Sequence, residues 1–263
     1  MIDLQMLNLP GFSDPTAIAL VILFAILFFA GLVHGILGLG FPLIATPLIA
    51  LMSDVRSAIL VILLPTLVIN IASVIKGGRW KESIGRYWPL AAYGVVGSVL
   101  GTRLLIVTDP APYKLLLAVM ILVYLNVNRI GLNLGWVRNN PSLAYAIFGT
   151  LGGLLAGTVN VMLPALIIFA LEMGLATTVM VQVFNFCFFF GKISQAFVFA
   201  AAGALTGPIL ISTTPLAGVT LGALFVGMAV RERVNPETYK RWLRRVLYII
   251  VALLAVQYFS TDL

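Results

Sequence analysis

Apolar residues run through this chain in long blocks that are separated by short polar or basic stretches. The blocks predict ten membrane segments, at residues 16–37, 41–52, 57–75, 89–107, 113–127, 143–158, 162–173, 177–200, 207–230 and 242–259. A helix needs about 20 apolar residues to cross a bilayer, so the short segments 41–52 and 162–173 are typical of re-entrant or half-spanning helices. We therefore predict an all-α polytopic membrane protein.

The composition supports this fold class. Of the 263 residues, 61% are hydrophobic and 10% are charged, whereas a soluble domain has about 25% charged residues. The net charge of +7 is interpreted as the charge of cytoplasmic loops, so we expect no nucleic-acid partner. The single cysteine, Cys187, lies in an apolar run and is expected to be free and buried. No Lys or Arg precedes the first apolar run, so it is not typical of a cleavable signal peptide.

The two halves of the chain resemble each other. Gly31, Gly35 and Pro42 recur 122 residues later as Gly153, Gly157 and Pro164. The stretch at 109–114 (DPAPYK) recurs 126 residues later at 235–240 (NPETYK), where both halves predict a loop that opens a helix. We therefore predict a first repeat over 1–127, a cytoplasmic linker over 128–142 and a second repeat over 143–263.

Basic residues predict the orientation of these repeats. Lys and Arg concentrate in three loops, near residues 76–86, 129–138 and 231–245. Cytoplasmic loops are enriched in Lys and Arg, so we expect these loops inside and both termini on the periplasmic side of an inner membrane. The loop at Asp109 then lies outside and its counterpart at Asn235 inside, which predicts two inverted repeats of five segments each. Such repeats recur in secondary transporters, with the substrate site near the bilayer midplane.

Each predicted repeat starts with a glycine-rich helical hairpin, broken or re-entrant, whose tip carries candidate ligands. Gly38, Gly40 and Phe41 lie at the first tip, and Thr158 and Asn160 at the second. The N–H groups at a helix start attract anions, so two tips that meet near the midplane are predicted to bind one. The alternative is that the glycines only let helices pack closely, and this stays open for Gly31 and Gly35.

Lys192 lies well inside an apolar segment, where a charge costs at least ~2.5–3.5 kcal/mol. We favour substrate contact or a counter-charge role over snorkelling of its ammonium to the membrane surface. Asn185 shares its helical face, together with Gln195, and Asn70 and Ser73 form a weaker polar stripe in the third segment.

His34 and Arg103 each allow two interpretations of their role. His34, the only histidine, is a candidate for proton coupling or gating, although a neutral histidine satisfied by a neighbouring group is the commoner outcome. Arg103 lies toward the outer end of the fourth segment, where snorkelling is expected and gating is the lesser interpretation. One His, one Cys and no acidic residue in the membrane interior provide no metal cluster or carboxylate pair, so we expect neither an enzyme nor a cofactor.

The glycine pattern resembles the TauE/SafE family of sulfite exporters, also called TSUP. The resemblance spans nearly the whole chain and is carried by loose motifs: Gly31–Pro42, the stretch 94–104 (GVVGSVLGTRL), and Gly149, Gly153 and Gly157 with Asn160 and Pro164. It implies transport of small sulfur-containing anions, such as sulfite, thiosulfate or organosulfonates like sulfoacetate, across a bacterial inner membrane.

The leading hypothesis is a secondary transporter that exports sulfite, sulfoacetate or a related organosulfonate by alternating access. Its anion would lie between the two tips, near Lys192 and the polar side chains of Asn70, Asn160 and Asn185. The alternatives are a passive small-anion channel and a transporter of another small anion, such as thiosulfate or a 2-oxo acid. A membrane-embedded enzyme or assembly subunit is the least favoured. The sequence leaves coupling ion and oligomeric state open.

Overall fold

The computed structural model describes residues 9–12, 16–127, 134–233 and 236–261 (of 236–240 and 261, the backbone alone). Over these residues the chain is helical, apart from an isolated bridge between Leu9 and Phe12. The helices are α1 (Ala17–Leu37), α2 (Phe41–Ala50), α3 (Val55–Val61), α4 (Leu63–Gly77), α5 (Ile84–Val107), α6 (Ala111–Asn126), α7 (Trp136–Asn139), α8 (Pro141–Val159), α9 (Leu163–Met173), α10 (Thr177–Ala201), α11 (Gly207–Val230) and α12 (Pro236–Thr261). Asp3, Asp14, Arg129 and Asn235 lie outside the described residues.

Six helices of the described chain are long and apolar enough to cross a membrane: α1, α5, α8, α10, α11 and α12. A seventh span results if α3 and α4 are taken together. The helices α2, α6 and α9 are apolar but shorter. The predicted all-α, multi-pass membrane class is therefore confirmed. The described helices that meet the length of a full span number six or seven, and the ten-segment prediction stays a prediction.

The predicted single segment 57–75 is two helices that are bent by 52° at Ile62. Pro65 lies in the first turn of α4. A proline ring clashes with the carbonyl four residues earlier and offers no N–H, so a straight helix through this point is disfavoured. The corresponding segment of the second half, α10, is continuous.

Both predicted helix breaks are present. After α1, Gly38 and Gly40 adopt left-handed backbone angles, with φ of +81° and +106°, and α2 starts at Phe41. After α8, Asn160 takes the left-handed conformation with φ of +62°. Such angles are readily adopted by glycine and, among other residues, are enriched in asparagine. We call 38–40 the first junction and 160–162 the second junction.

Glycines let two pairs of helix backbones pack in close contact. A Cβ on Gly31 of α1 would lie 2.7 Å from the Thr220 carbonyl oxygen of α11. A Cβ on Gly157 of α8 would lie 2.6 Å from the Ser98 carbonyl oxygen of α5. Gly35 and Gly153 contact the same two partner helices. All four glycines therefore serve helix packing, the role left open for Gly31 and Gly35, as expected in lipid, where small residues allow close approach.

The described parts of the three basic loops lie at one end of the bundle. Gln182 Nε2 donates to the Val74 carbonyl at 2.9 Å, which places the end of α4 beside the start of α10. Arg138 Nε donates to the Glu172 carbonyl at 2.6 Å, which holds the linker at the end of α9. At the other end, Arg56 Nη2 donates to the Thr108 carbonyl at 2.7 Å. We call the end of the bundle that carries the three basic loops the basic end.

The helix-packing role of glycine predicts the effect of a single methyl group. Gly157→Ala places a Cβ against the α5 backbone, which cannot yield as a side chain can, so we expect a loss of about 1–3 kcal/mol in stability. The unfolding temperature of the purified protein in detergent measures it. The control is Gly218→Ala on α11, where a Cβ meets no atom within 4 Å and unfolding should be unchanged or later. Equal unfolding temperatures for both variants would contradict the packing role.

Candidate functional site

Lys192 is buried in the middle of the bundle. Its side chain is 4% exposed, and Nζ donates a hydrogen bond to Gln195 Oε1. Gln195 Nε2 in turn donates to the Gly157 carbonyl at 3.1 Å. The ammonium is thus directed into the protein near the carboxyl end of α8, where a helix carries partial negative charge.

Lys192 has no carboxylate partner in the described chain. Among the residues described there, it is the one Lys, Arg, Asp or Glu side chain that is buried, and the ion pair found is Arg79 with Glu82 at the surface. A buried charge without a counter-charge is expensive, since desolvation is compensated only by pairing and hydrogen bonds. The site is therefore electrostatically suited to an anion.

A small cavity joins Lys192 to both halves of the chain. Its lining residues come from α2, α4, α8, α10 and the second junction: Pro42, Thr66, Ala156, Asn160, Phe188, Gly191, Lys192 and Gln195. The volume is about 10 Å³, roughly that needed for one water molecule. We call it the central cavity.

The second junction contributes a side chain that reaches the first half. Asn160 is 3% exposed, and its Nδ2 donates to Thr46 Oγ1 on α2 at 2.9 Å. This hydrogen bond links the second junction directly to the helix that follows the first. Thr158 is also buried, but its hydroxyl donates to the Leu154 carbonyl of its own helix at 2.9 Å, and it does not line the central cavity.

The first junction is held by hydrogen bonds within the protein. The Phe41 N–H donates to His34 Nδ1 at 3.4 Å, and His34 Nε2 lies 3.1 Å from Ser73 Oγ. An accepting Nδ1 corresponds to the neutral ring with its proton on Nε2. Asn185 Nδ2 donates to the Gly38 carbonyl at 2.8 Å. His34 thus has hydrogen-bond partners on both ring nitrogens, and Gly38, Gly40 and Phe41 are not among the residues that line the central cavity.

Asn70 is the buried polar side chain whose environment is least complete. It is fully buried on α4, one turn after Thr66 of the central cavity, and neither its Oδ1 nor its Nδ2 has a hydrogen-bond partner among the described residues. Leaving a buried amide unsatisfied costs about 1–3 kcal/mol per group. The Asn70 amide is therefore available to hydrogen-bond a water molecule or a ligand.

Arg103 lies apart from this site. It is exposed near the end of α5 and lines a separate surface cavity of about 680 Å³ with Ser194 and Phe197 of α10. Its predicted position toward a helix end is correct, and Arg103 does not line the central cavity.

Three buried hydroxyl residues near this site are not predicted from the sequence: Thr46, Thr66 and Ser98. Thr46 accepts from Asn160, Thr66 lines the central cavity, and Ser98 Oγ donates to the Gly191 carbonyl at 2.8 Å. Each is a small hydroxyl residue in an apolar helix, and such residues commonly bond only to their own backbone. The sequence around these three residues has no feature that distinguishes them from the other Ser and Thr residues of the apolar helices.

The Asn160–Thr46 hydrogen bond predicts a measurable coupling between the halves. We expect Asn160→Ala and Thr46→Val each to destabilise the protein, and the double variant to lose less than the sum. Hydrogen bonds between membrane helices contribute on the order of 1 kcal/mol, so a coupling of about that size is expected from unfolding temperatures. Strictly additive losses would contradict the contact. Thr214→Val, whose hydroxyl bonds only to the Leu210 carbonyl of its own helix, should be additive with Asn160→Ala.

The whole arrangement can be compared with known proteins. The chain matches the sequence profile of the family described as "Sulfite exporter TauE/SafE" over residues 23–258, nearly its full length. No curated protein and no solved structure matches it. The resemblance predicted from the glycine motifs is therefore confirmed, and the chain belongs to the TauE/SafE sulfite exporter family.

Proposed function

We propose that this protein is a secondary transporter that exports a small sulfur-containing anion, sulfite or an organosulfonate such as sulfoacetate, by alternating access. The observation that carries the proposal is Lys192, a buried cation without a carboxylate partner in the described chain, at a cavity lined by both halves. The family assignment supports the substrate class.

The polar groups around Lys192 suit an oxyanion. The ammonium supplies positive charge, and the amide of Asn160 and the hydroxyl of Thr66 line the same cavity. Charge-assisted hydrogen bonds to an oxyanion are about twice as strong as neutral ones. Asn70 and Asn185, on the facing helices α4 and α10, are proposed to join the site when it opens. Gly38, Gly40, Phe41 and Thr158 are proposed to shape the junctions that hold it.

Repeated geometry supports the inverted-repeat part of the proposal. Helix ends recur at the separation of 122 residues: α1 and α8 end at Leu37 and Val159, and α3 and α10 start at Val55 and Thr177. The glycine contacts recur as well, since α1 packs on α11 in the first case and α8 on α5 in the second. We propose that α2 and α9 are the short segments of two inverted five-segment repeats.

The size of the central cavity supports a mechanism with moving parts. At about 10 Å³ it is smaller than any of the proposed anions, so the helices around it must separate to admit one. A passive channel instead needs a continuous aqueous path for the ion. We therefore favour a transporter in which binding and release alternate between the two faces.

Replacing Lys192 tests the site. In proteoliposomes, Lys192→Met should lower sulfite and sulfoacetate binding and flux at least tenfold, because a charge-assisted hydrogen bond contributes about 1.5–3 kcal/mol. Lys81→Met, on an exposed lysine of a basic loop, is the matched control and should transport normally. Normal binding and flux in Lys192→Met would remove Lys192 from the site. Flux that never saturates with anion concentration would favour the channel instead.

The proposed inner-membrane orientation is tested with single cysteines. Cys187 is the only cysteine, so Cys187→Ala provides a cysteine-free background. Lys81→Cys at the basic end should react with an impermeant thiol reagent only from the cytoplasmic side, whereas Thr206→Cys, exposed between α10 and α11, should react only from the periplasmic side. The reverse pattern would overturn the orientation, with both termini then inside.

A further inference from the structure

A second, larger cavity opens at the basic end of the bundle. Its volume is about 340 Å³, and the ends of five helices surround it, α1, α6, α9, α10 and α12. Leu37 at the end of α1 and Leu39 of the first junction line its wall. Phe184 of α10 lines it too and lies two turns before Lys192. We call it the vestibule. Phe188, one turn after Phe184 on α10, lines the central cavity, so neighbouring turns of one helix line the two cavities.

The vestibule combines an apolar wall with one cation. Arg244 of α12 is the charged side chain among the described residues that line it, and the hydroxyl-bearing Tyr124 and Thr177 line it too. Tyr124 and Arg244 thus line the same cavity from different helices, α6 and α12. The neighbouring Arg245 is turned elsewhere, with its guanidinium 5.5 Å from the centre of the Trp242 ring. Arg244 is exposed, so it can meet a ligand from solution.

We propose that the vestibule is a binding site for a small organic anion, a sulfonate or carboxylate on a short apolar body, with Arg244 paired to the anionic group. A planar guanidinium binds such oxygens through two parallel hydrogen bonds, and the leucine and phenylalanine side chains cover the apolar body. This inference rests on the proposed function, since it gives the substrate of the central cavity a first binding site at the basic end.

The counterpart of the vestibule in the other repeat is closed. Shifting the lining residues by the repeat separations, 122 for α9 and α10 and 126 for α12, leads to positions that are 0–2% exposed: Ala45, Ile49, Ile59, Ile62, Leu117, Ala118 and Ile121. Ala118 occupies the position of Arg244. At these positions the described chain therefore has neither a counterpart of the vestibule nor a counterpart of Arg244, and the proposed anion site belongs to the basic end. This asymmetry predicts that the half-saturating concentration of a small organic anion is lower at the basic face than at the opposite face.

The test compares two adjacent arginines in proteoliposomes of zwitterionic lipid, with sulfoacetate supplied at one face at a time. Arg244→Gln should raise the half-saturating concentration at the basic face about tenfold and leave that at the opposite face unchanged. Arg245→Gln removes the same charge one residue away and should change neither. Propanesulfonate should compete with sulfoacetate at the basic face at lower concentration than sulfate does, because the wall is apolar.

A binding readout separates this inference from the proposed function. Propanesulfonate should raise the unfolding temperature of the wild type and of Lys192→Met, and the shift seen in Lys192→Met should disappear when Arg244→Gln is added, since a ligand that binds only the folded state stabilises it. If the wild type carries no sulfur anion but keeps this shift, the proposed function fails and the vestibule site stands. Transport with equal half-saturation in wild type and Arg244→Gln overturns the vestibule site. An Arg244→Gln effect seen only with anionic lipid added overturns it too, by assigning Arg244 to lipid headgroups.

Discussion

The whole arrangement depends on backbone hydrogen bonding in a medium that offers none. A helix that breaks inside a bilayer must have its freed N–H and C=O groups satisfied by protein or by a water-filled cavity. Here both junctions lie in the interior, where His34 accepts from the Phe41 N–H and Asn185 donates to the Gly38 carbonyl. The broken helices can lie there because glycine contacts hold α1 against α11 and α8 against α5 at backbone distance. Close helix packing and hydrogen bonds to the freed backbone groups thus together stabilise the broken helices inside the bilayer.

The same constraint explains how Lys192 is accommodated. Its ammonium is bound to Gln195, which is anchored on the Gly157 carbonyl at the end of α8, the negative end of a helix dipole. These neutral partners stabilise a cation less than a carboxylate would. This difference is the electrostatic basis of the anion site that we propose beside Asn160, because an anionic substrate would supply the missing negative charge.

The two predicted repeats have similar helix positions but differ in the side chains at the proposed binding sites. At the repeat separation of 122 residues, Asn70 of the first half corresponds to Lys192 of the second. Pro65 corresponds to Cys187, which accounts for a bend in α3–α4 and a continuous α10. Ala118 corresponds to Arg244. Unequal substitution of the two predicted repeats thus leaves Lys192 at the centre and Arg244 at the vestibule, with Asn70 and Ala118 at their counterpart positions.

The sequence by itself determined the membrane class and the two helix breaks, because apolar run length, glycine spacing and proline position act locally along the chain. The repeat period stays a prediction. The sequence also identified Lys192, since a charge in an apolar run stands out without any partner. Only the tertiary structure decided which polar groups meet. Thr46 and Thr66 look like any hydroxyl in an apolar helix until α2 and α4 pack beside Asn160 and Lys192. The same is true of Arg244, one of several basic residues in its loop, which the convergence of five helix ends sets apart.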